Sequence, residues 1–160
     1  MNQLDRAEFV AVFGHVVEDS PELAALVWTE RPFADATAIA DAFTRAIDGL
    51  DDDAALALLR AHPELGARGP MAAASVSEQS SAGIHRAGTD VLTGLEHDNV
   101  AYRERFGFPF IVAVRGRGVD EIAATLEARL TNPPAVERAE ALRQVCRIAA
   151  LRVDQVVDGP

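Results

Sequence analysis

His62, Glu78, Gln79 and Arg152 combine side-chain types and settings that suit proton transfer and anion binding. His62 stands before Pro63 at the end of an apolar helical pattern, where the helix dipole favours imidazolium. An imidazole that titrates near neutrality can give or take a proton, which is what general acid–base chemistry needs. The same position suits a cap histidine bonded to a last-turn carbonyl. Ser75, Glu78 and Gln79 fall at i, i+3 and i+4, so on a helix they share one face and can hold a small polar ligand. Ser-x-x-Glu is equally a capping box, with Glu78 reaching back to the Ser75 amide. Arg152 follows Ile148 by one helical turn, and a guanidinium beside an apolar face pairs with a carboxylate or a planar ligand. A structural ion pair, or an arginine laying its stem along the surface, explains it too, and Arg147 competes for the same role. The residues alone leave both readings open at each position.

Other chemistries lack their patterns. His15, His62, His85 and His97 show no metal-ligand spacing, HExxH and CxxC are absent, and no metal site is expected. Gly116-Arg117-Gly118 lacks the third glycine of a dinucleotide loop. Ser75, Ser77, Ser80 and Ser81 lie outside any GxSxG elbow, so a serine nucleophile is not indicated.

The elements that must position these groups are almost all helical. A first helix starts from an Asp5 or Asn2 cap, carries Phe9, Val10, Phe13, Val16 and Val17 on one face, and ends near Asp19. Ser20-Pro21 starts a second, with Ser20 as N-cap and Leu23, Leu26 and Val27 buried, and Arg31-Pro32 stops it. A third runs from about Asp35 or Thr37 to Ile47, on Ile39, Phe43 and Ile47. The Asp51, Asp52 and Asp53 carboxylates suit the start of a fourth, which carries Leu56, Leu58 and Leu59 to His62. After a Gly66 to Pro70 loop, helices are expected from Ser75 or Ser77 to about His85 and from Thr89 to Phe106. Ile111 to Val114 is the one β-like stretch and, with no partner strand in sequence, reads as an extended buried segment. Two helices follow, from Val119 to Leu130 and from Pro134 to Val157, separated by Asn132-Pro133-Pro134. The expectation is an all-α fold: a single compact domain over 1–160, of about eight helices and one extended segment.

At 160 residues the chain can bury a useful core without disulfides. Its one cysteine, Cys146, sits in a helical apolar stripe and reads as a buried thiol in a reducing compartment. A formal net charge of −10 repels phosphate backbones and anionic lipid heads, which argues against nucleic-acid and membrane-surface partners. No apolar run approaches the ~20 residues of a membrane span, and the N-terminus has no leader pattern, so a cytoplasmic protein is expected.

The combination of motifs resembles a known family. HPEL at His62, SVSEQ followed by AG from Ser75 to Gly83, YRERFGFPFIVAVRG from Tyr102 to Gly116 and RIAALRV from Arg147 to Val153 are similar, in order, to the OHCU decarboxylases. These are the 2-oxo-4-hydroxy-4-carboxy-5-ureidoimidazoline decarboxylases of urate breakdown. SPELA and ERPF near the N-terminus extend the likeness over nearly the whole chain. The resemblance implies an all-α homodimer with a cofactor-free site that forms (S)-allantoin from a small anionic ureido substrate. It places His62, Glu78 and Arg152 at the catalytic positions. Pro63, Ser75 and Gln79 match ligand-contacting positions, as does the main chain of Ile111, Val112, Ala113, Val114 and Arg115. EDSPEL stands where the family often has an aromatic after SP, AGI and LRV replace AGL and LRL, and the loop between Gly66 and Ser75 is short. The charged set is intact. The rival readings are a non-enzymatic helical ligand-binding or dimerisation module, and a related lyase or hydrolase acting on another small ureido acid.

Overall fold

The computed structural model describes residues 1–65 and 89–159. They form seven α-helices: α1 (Arg6–Phe13), α2 (Pro21–Val27), α3 (Ala36–Asp48), α4 (Asp52–Ala61), α5 (Thr89–Phe106), α6 (Val119–Arg129) and α7 (Pro134–Asp158), with a 3-10 turn at Trp28–Glu30. No strand occurs among the described residues, as the all-α expectation requires. The helix expected from Ser75 or Ser77 to about His85 lies outside them. The chain divides into two compact units, one of Met1–Ala61 with Leu142–Pro160, the other of His62–Ala141.

In the first unit, carboxylate caps set the helix starts. Asp5 accepts from the Glu8 amide while Glu8 accepts from the Asp5 amide, each at 2.9 Å, a reciprocal box that satisfies two otherwise orphaned donors. Asn2, the other candidate cap, instead ties the N-terminus to the Phe33 main chain. Asp35 and Asp51 accept from Ala38 and Ala54 in the same way. Ser20 makes no such bond: its hydroxyl donates to the Glu18 carbonyl at 3.0 Å.

Helix α1 stops at Phe13, six residues before the expected end. The Gly14 amide closes on Val10, and turn bonds from Val16 to Phe13 and from Ser20 to Val17 carry the chain instead. Proline 21 has no N–H with which to prolong the helix, and Asp19 adopts φ 46° to enter α2. Val16 and Val17 are still buried, from the turn rather than from a helical stripe. Leu26, expected to be buried, is half exposed, and Leu23, Ala24 and Val27 form the inner face. The rest of this core is Phe9, Phe13, Ile39, Phe43, Ile47, Leu58, Leu59, Val145, Ala149 and Val153. Each large apolar side chain contributes roughly 1.5–3 kcal/mol on burial. Cys146 is half-buried rather than fully so; burial pushes its thiol pKa up, Asp48 adds to the rise and the Thr44 hydrogen bond opposes it.

In the second unit, α5 ends where Gly107, at φ 79°, takes a left-handed conformation that favours glycine, its amide closing on the Arg103 carbonyl at 2.8 Å. The chain then runs from 108 to 114 without helix, every residue buried, as the sequence led one to expect. A turn with Gly116 at φ 78° and an Arg117 amide to Val114 carbonyl bond of 3.0 Å leads into α6. Tyr102, fully buried, packs against Phe106, Phe108 and Phe110 with ring centroids 4.7, 5.9 and 5.4 Å away. Residues 134–141 of α7 belong to this unit.

Candidate active site

His62 is buried at the turn that follows α4. The turn ends α4 because Pro63 excludes helical geometry at the residue before it. Two side chains of α5 hold the turn from behind. Asn99 Nδ2 donates to the Leu65 carbonyl at 3.0 Å, and Arg103 Nη2 pairs with Glu64 at 2.6 Å. Asn99 is itself 3 % exposed, and its Oδ1 is the one buried side-chain acceptor without a partner among the described residues.

The segment 108–114 is held by the same helix, one residue further round its face. Tyr102 stands between Asn99 and Arg103 in sequence, and these i, i+3 and i+4 positions share one face of α5. Its ring packs edge-on against Phe108 and Phe110. Its hydroxyl donates to Glu137, which is completely buried and also paired with Arg129. Arg129 in turn donates to the Ile111 carbonyl at 2.7 Å. Burial, and next the hydrogen bond to Glu137, push the Tyr102 phenol pKa well above its usual range. The hydroxyl is therefore a fixed donor at any ordinary pH. Ile111, Val112, Ala113 and Val114 are all buried, whereas the Arg115 side chain is exposed.

Arg152 belongs to the first unit, on α7, and is 2 % exposed. Its Nη1 is held by Glu18 at 3.2 Å and by the carbonyls of His15 and Val16 at 3.3 and 3.4 Å. Val16 and Glu18 are buried in the turn between α1 and α2, so the early end of α1 is what brings that carboxylate to the arginine. Ser75, Glu78 and Gln79 lie outside the described residues. Within the second unit, then, α5 supports both the His62–Pro63 turn and the main chain of 111–114, while a buried carboxylate fixes Arg152 in the first.

A model of the family described as OHCU decarboxylase matches residues 2–154. The chain belongs to the OHCU decarboxylase family.

Several relatives named for that activity resemble it over almost their full length. It is 39% identical to the 2-oxo-4-hydroxy-4-carboxy-5-ureidoimidazoline decarboxylase of Haloferax volcanii over 153 residues, 96% of this chain and 91% of the relative. The corresponding protein of Bos taurus is 40% identical over 157 residues, 96% of this chain and 92% of that one. A crystal structure of OHCU decarboxylase in the presence of (S)-allantoin superposes with a TM-score of 0.75 at 29% identity, covering 90% of this chain and 96% of the other.

Sequence reasoning missed four residues of this OHCU decarboxylase family member. Nothing local in the sequence sets Glu18, Asn99, Arg129 and Glu137 apart from surface polar residues. Only Tyr102, the chain's single tyrosine, set four residues before Phe106, carried a local sign of burial. A cavity of about 440 Å³ in the first unit, lined by Asp19, Ser20, Leu23, Leu50, Leu58 and Ala61 among others, contains none of the candidate residues. No group of three or more potential metal ligands occurs among the described residues.

Proposed function

We propose that this chain decarboxylates 2-oxo-4-hydroxy-4-carboxy-5-ureidoimidazoline to (S)-allantoin, a step of urate breakdown. The observation that carries the reading is the match of residues 2–154 to the OHCU decarboxylase family, with relatives named for that reaction. In the reaction the bond to the carboxylate breaks, CO2 leaves, and the electron pair passes into the adjacent C=N group of the substrate. The nitrogen that receives the pair takes up a proton, and the hydroxyl on the carbon that lost CO2 gives up its own and becomes the product carbonyl. A proton delivered to one face of the neighbouring carbon fixes the configuration. The substrate supplies its own electron sink, so the protein needs to orient, desolvate and protonate, and no cofactor is required.

His62 acts as the proton-transfer group. Glu78, supported by Gln79, orients or deprotonates the substrate hydroxyl, with Ser75 and Pro63 in contact with the ligand. Arg152 and the main-chain amides of Ile111, Val112, Ala113, Val114 and Arg115 hold the anionic, urea-bearing substrate. Phe108, Pro109 and Phe110 form the wall that excludes water. The chain works as one domain over 1–160, as a homodimer in the cytoplasm; no helix among the described residues is long and apolar enough to cross a membrane, which fits that location.

The buried pairing of Arg152 with Glu18 favours a second reading for this one residue, a structural ion pair of the first unit. Substituting Arg152 separates the two, as developed in the Discussion.

The test uses urate oxidised in situ, with the optical activity of the product followed in time. The wild type should give (S)-allantoin rapidly and enantiopure, and His62→Ala should slow the reaction by about 10²–10⁴-fold. A wild type that leaves the spontaneous, racemic reaction unchanged refutes the activity. A His62→Ala variant that keeps both rate and enantiopurity removes His62 from proton transfer.

A further inference from the structure

We infer that Arg129 is a positioning residue for substrate binding, held rigid by Glu137, Tyr102 and Asn132 so that it fixes the direction of the Val112 amide. The inference rests on the proposed use of the main chain of 111–115 by the substrate.

The geometry is that of a clamp. Arg129 Nη1 donates to the Ile111 carbonyl at 2.7 Å, while Nε and Nη2 both donate to Glu137 Oε1, at 2.8 and 2.5 Å. The Tyr102 hydroxyl donates to the same oxygen, and Asn132 Nδ2 donates to Oε2 at 2.7 Å. The guanidinium lies 4.7 Å from the centre of the Phe110 ring, which fixes its plane. Both carboxylate oxygens and all three guanidinium nitrogens are thus engaged, and Arg129 and Glu137 are buried.

A planar trans peptide makes the consequence specific, because its C=O and the following N–H point in opposite directions. Fixing the Ile111 carbonyl on Arg129 therefore aims the Val112 amide away from Arg129. No described residue accepts a main-chain bond from the amides of Phe110, Ile111, Val112 and Val114, although all four residues are buried. Buried backbone donors are costly unless partnered. Several of them in a segment with no strand beside it among the described residues are suited to a ligand rich in carbonyl and carboxylate oxygens. A buried ion pair is often no better for stability than apolar residues of the same shape, and its clearest benefit is a unique orientation. Here the oriented object is one peptide plane.

The experiment measures kcat and KM for the wild type, Arg129→Lys and Asn132→Ala. A lysine keeps the charge but cannot span Glu137 and the Ile111 carbonyl with one planar fork. Losing the alignment of one amide should raise KM by about 3- to 10-fold in Arg129→Lys with kcat held within about twofold. Asn132→Ala frees one oxygen of Glu137, leaves the Arg129 contacts in place and should raise KM by about 2- to 3-fold. A merely structural role would lower the active fraction, and so apparent kcat, at unchanged KM. If Arg129→Lys does not fold, Asn132→Ala decides alone. An active wild type whose variants keep the wild-type KM overturns this inference and leaves the proposed activity standing. An inactive wild type overturns the proposed activity and this inference with it.

Discussion

Tyr102→Phe removes a single oxygen from the buried cluster joining α5, α6 and α7, and its effect should depend on pH. The lost hydroxyl donates to Glu137 Oε1, which also receives Arg129 Nε and Nη2. A hydrogen bond to a charged group contributes about 1.5–3 kcal/mol. Because the two arginine donors remain, the low end applies, about 1.5–2 kcal/mol. For a chain of this length that lowers Tm by about 3–8 °C near neutral pH. Burial, and next the bond to Glu137, hold the Tyr102 pKa above its usual value, whereas an unfolded tyrosine ionises near 10. Below that pH both states keep the proton and the folded chain retains the full advantage. Above it only the unfolded chain releases the proton, so stability falls by about 1.4 kcal/mol per pH unit. Phenylalanine has no proton to release. The gap between wild type and Tyr102→Phe should therefore shrink from about 1.5–2 kcal/mol at about pH 8 to well under ~1 kcal/mol at about pH 11. Urea unfolding followed by far-UV circular dichroism at the two pH values measures it. Cys146, also raised by burial, titrates in both chains and cancels from the difference. A gap of the same size at both pH values refutes the reasoning.

Arg152→Lys keeps one positive charge for Glu18 but cannot also reach the carbonyls of His15 and Val16 as a planar fork does. If Arg152 holds substrate, kcat/KM should drop at least about tenfold with most of the protein folded; unchanged kinetics would leave it a structural ion pair. Asn99→Ala frees the Leu65 carbonyl and the turn that bears His62, so a loss of about 1–2 kcal/mol in stability should accompany a lower kcat, read by denaturation and steady-state assay. Phe9→Ala, at a fully buried position stacked on Phe13, should cost about 3–5 kcal/mol, and a Tm within about 3 °C of the wild type would show that the site collapses around the change. Asp5→Ala breaks the reciprocal cap of α1 and should cost about 1 kcal/mol by urea titration.

What the sequence made legible was mostly local. Asp5, Asp35, Pro21 and the Asp51 carboxylate mark helix starts through bonds or backbone constraints spanning three residues, and each is where the pattern put it. The buried run around 111–114 was equally readable from its composition. The end of α1 was not, because apolar spacing continues through Val16 and Val17 while the chain has already left the helix at Gly14. Which residues partner the buried polar groups was invisible for a different reason. Arg152 and Glu18 are 134 residues apart, Tyr102 and Glu137 are 35, and no periodicity announces that a charged residue will be buried. Prior expectation places such residues outside. Nothing in the local sequence of Arg129 distinguishes it from an ordinary last-turn cation on a helix.

The first unit is assembled from both ends of the chain, residues 1–61 and 142–160, whereas the second is contiguous. On a ribosome this order has a direct effect. The segment that emerges first carries Phe9, Phe13, Ile39 and Phe43 but lacks Val145, Ala149 and Val153, the C-terminal members of its core. Glu18 is made 134 residues ahead of the arginine that neutralises it. The described residues of the second unit find their buried partners, Tyr102 and Arg129 with Glu137, once the first turns of α7 are made, so vectorial synthesis lets the later-made unit close before the earlier-made one. A nascent chain halted ahead of α7's last turns would expose an apolar surface that chaperones bind, and the arrival of Val145, Ala149 and Val153 is the event that hides it.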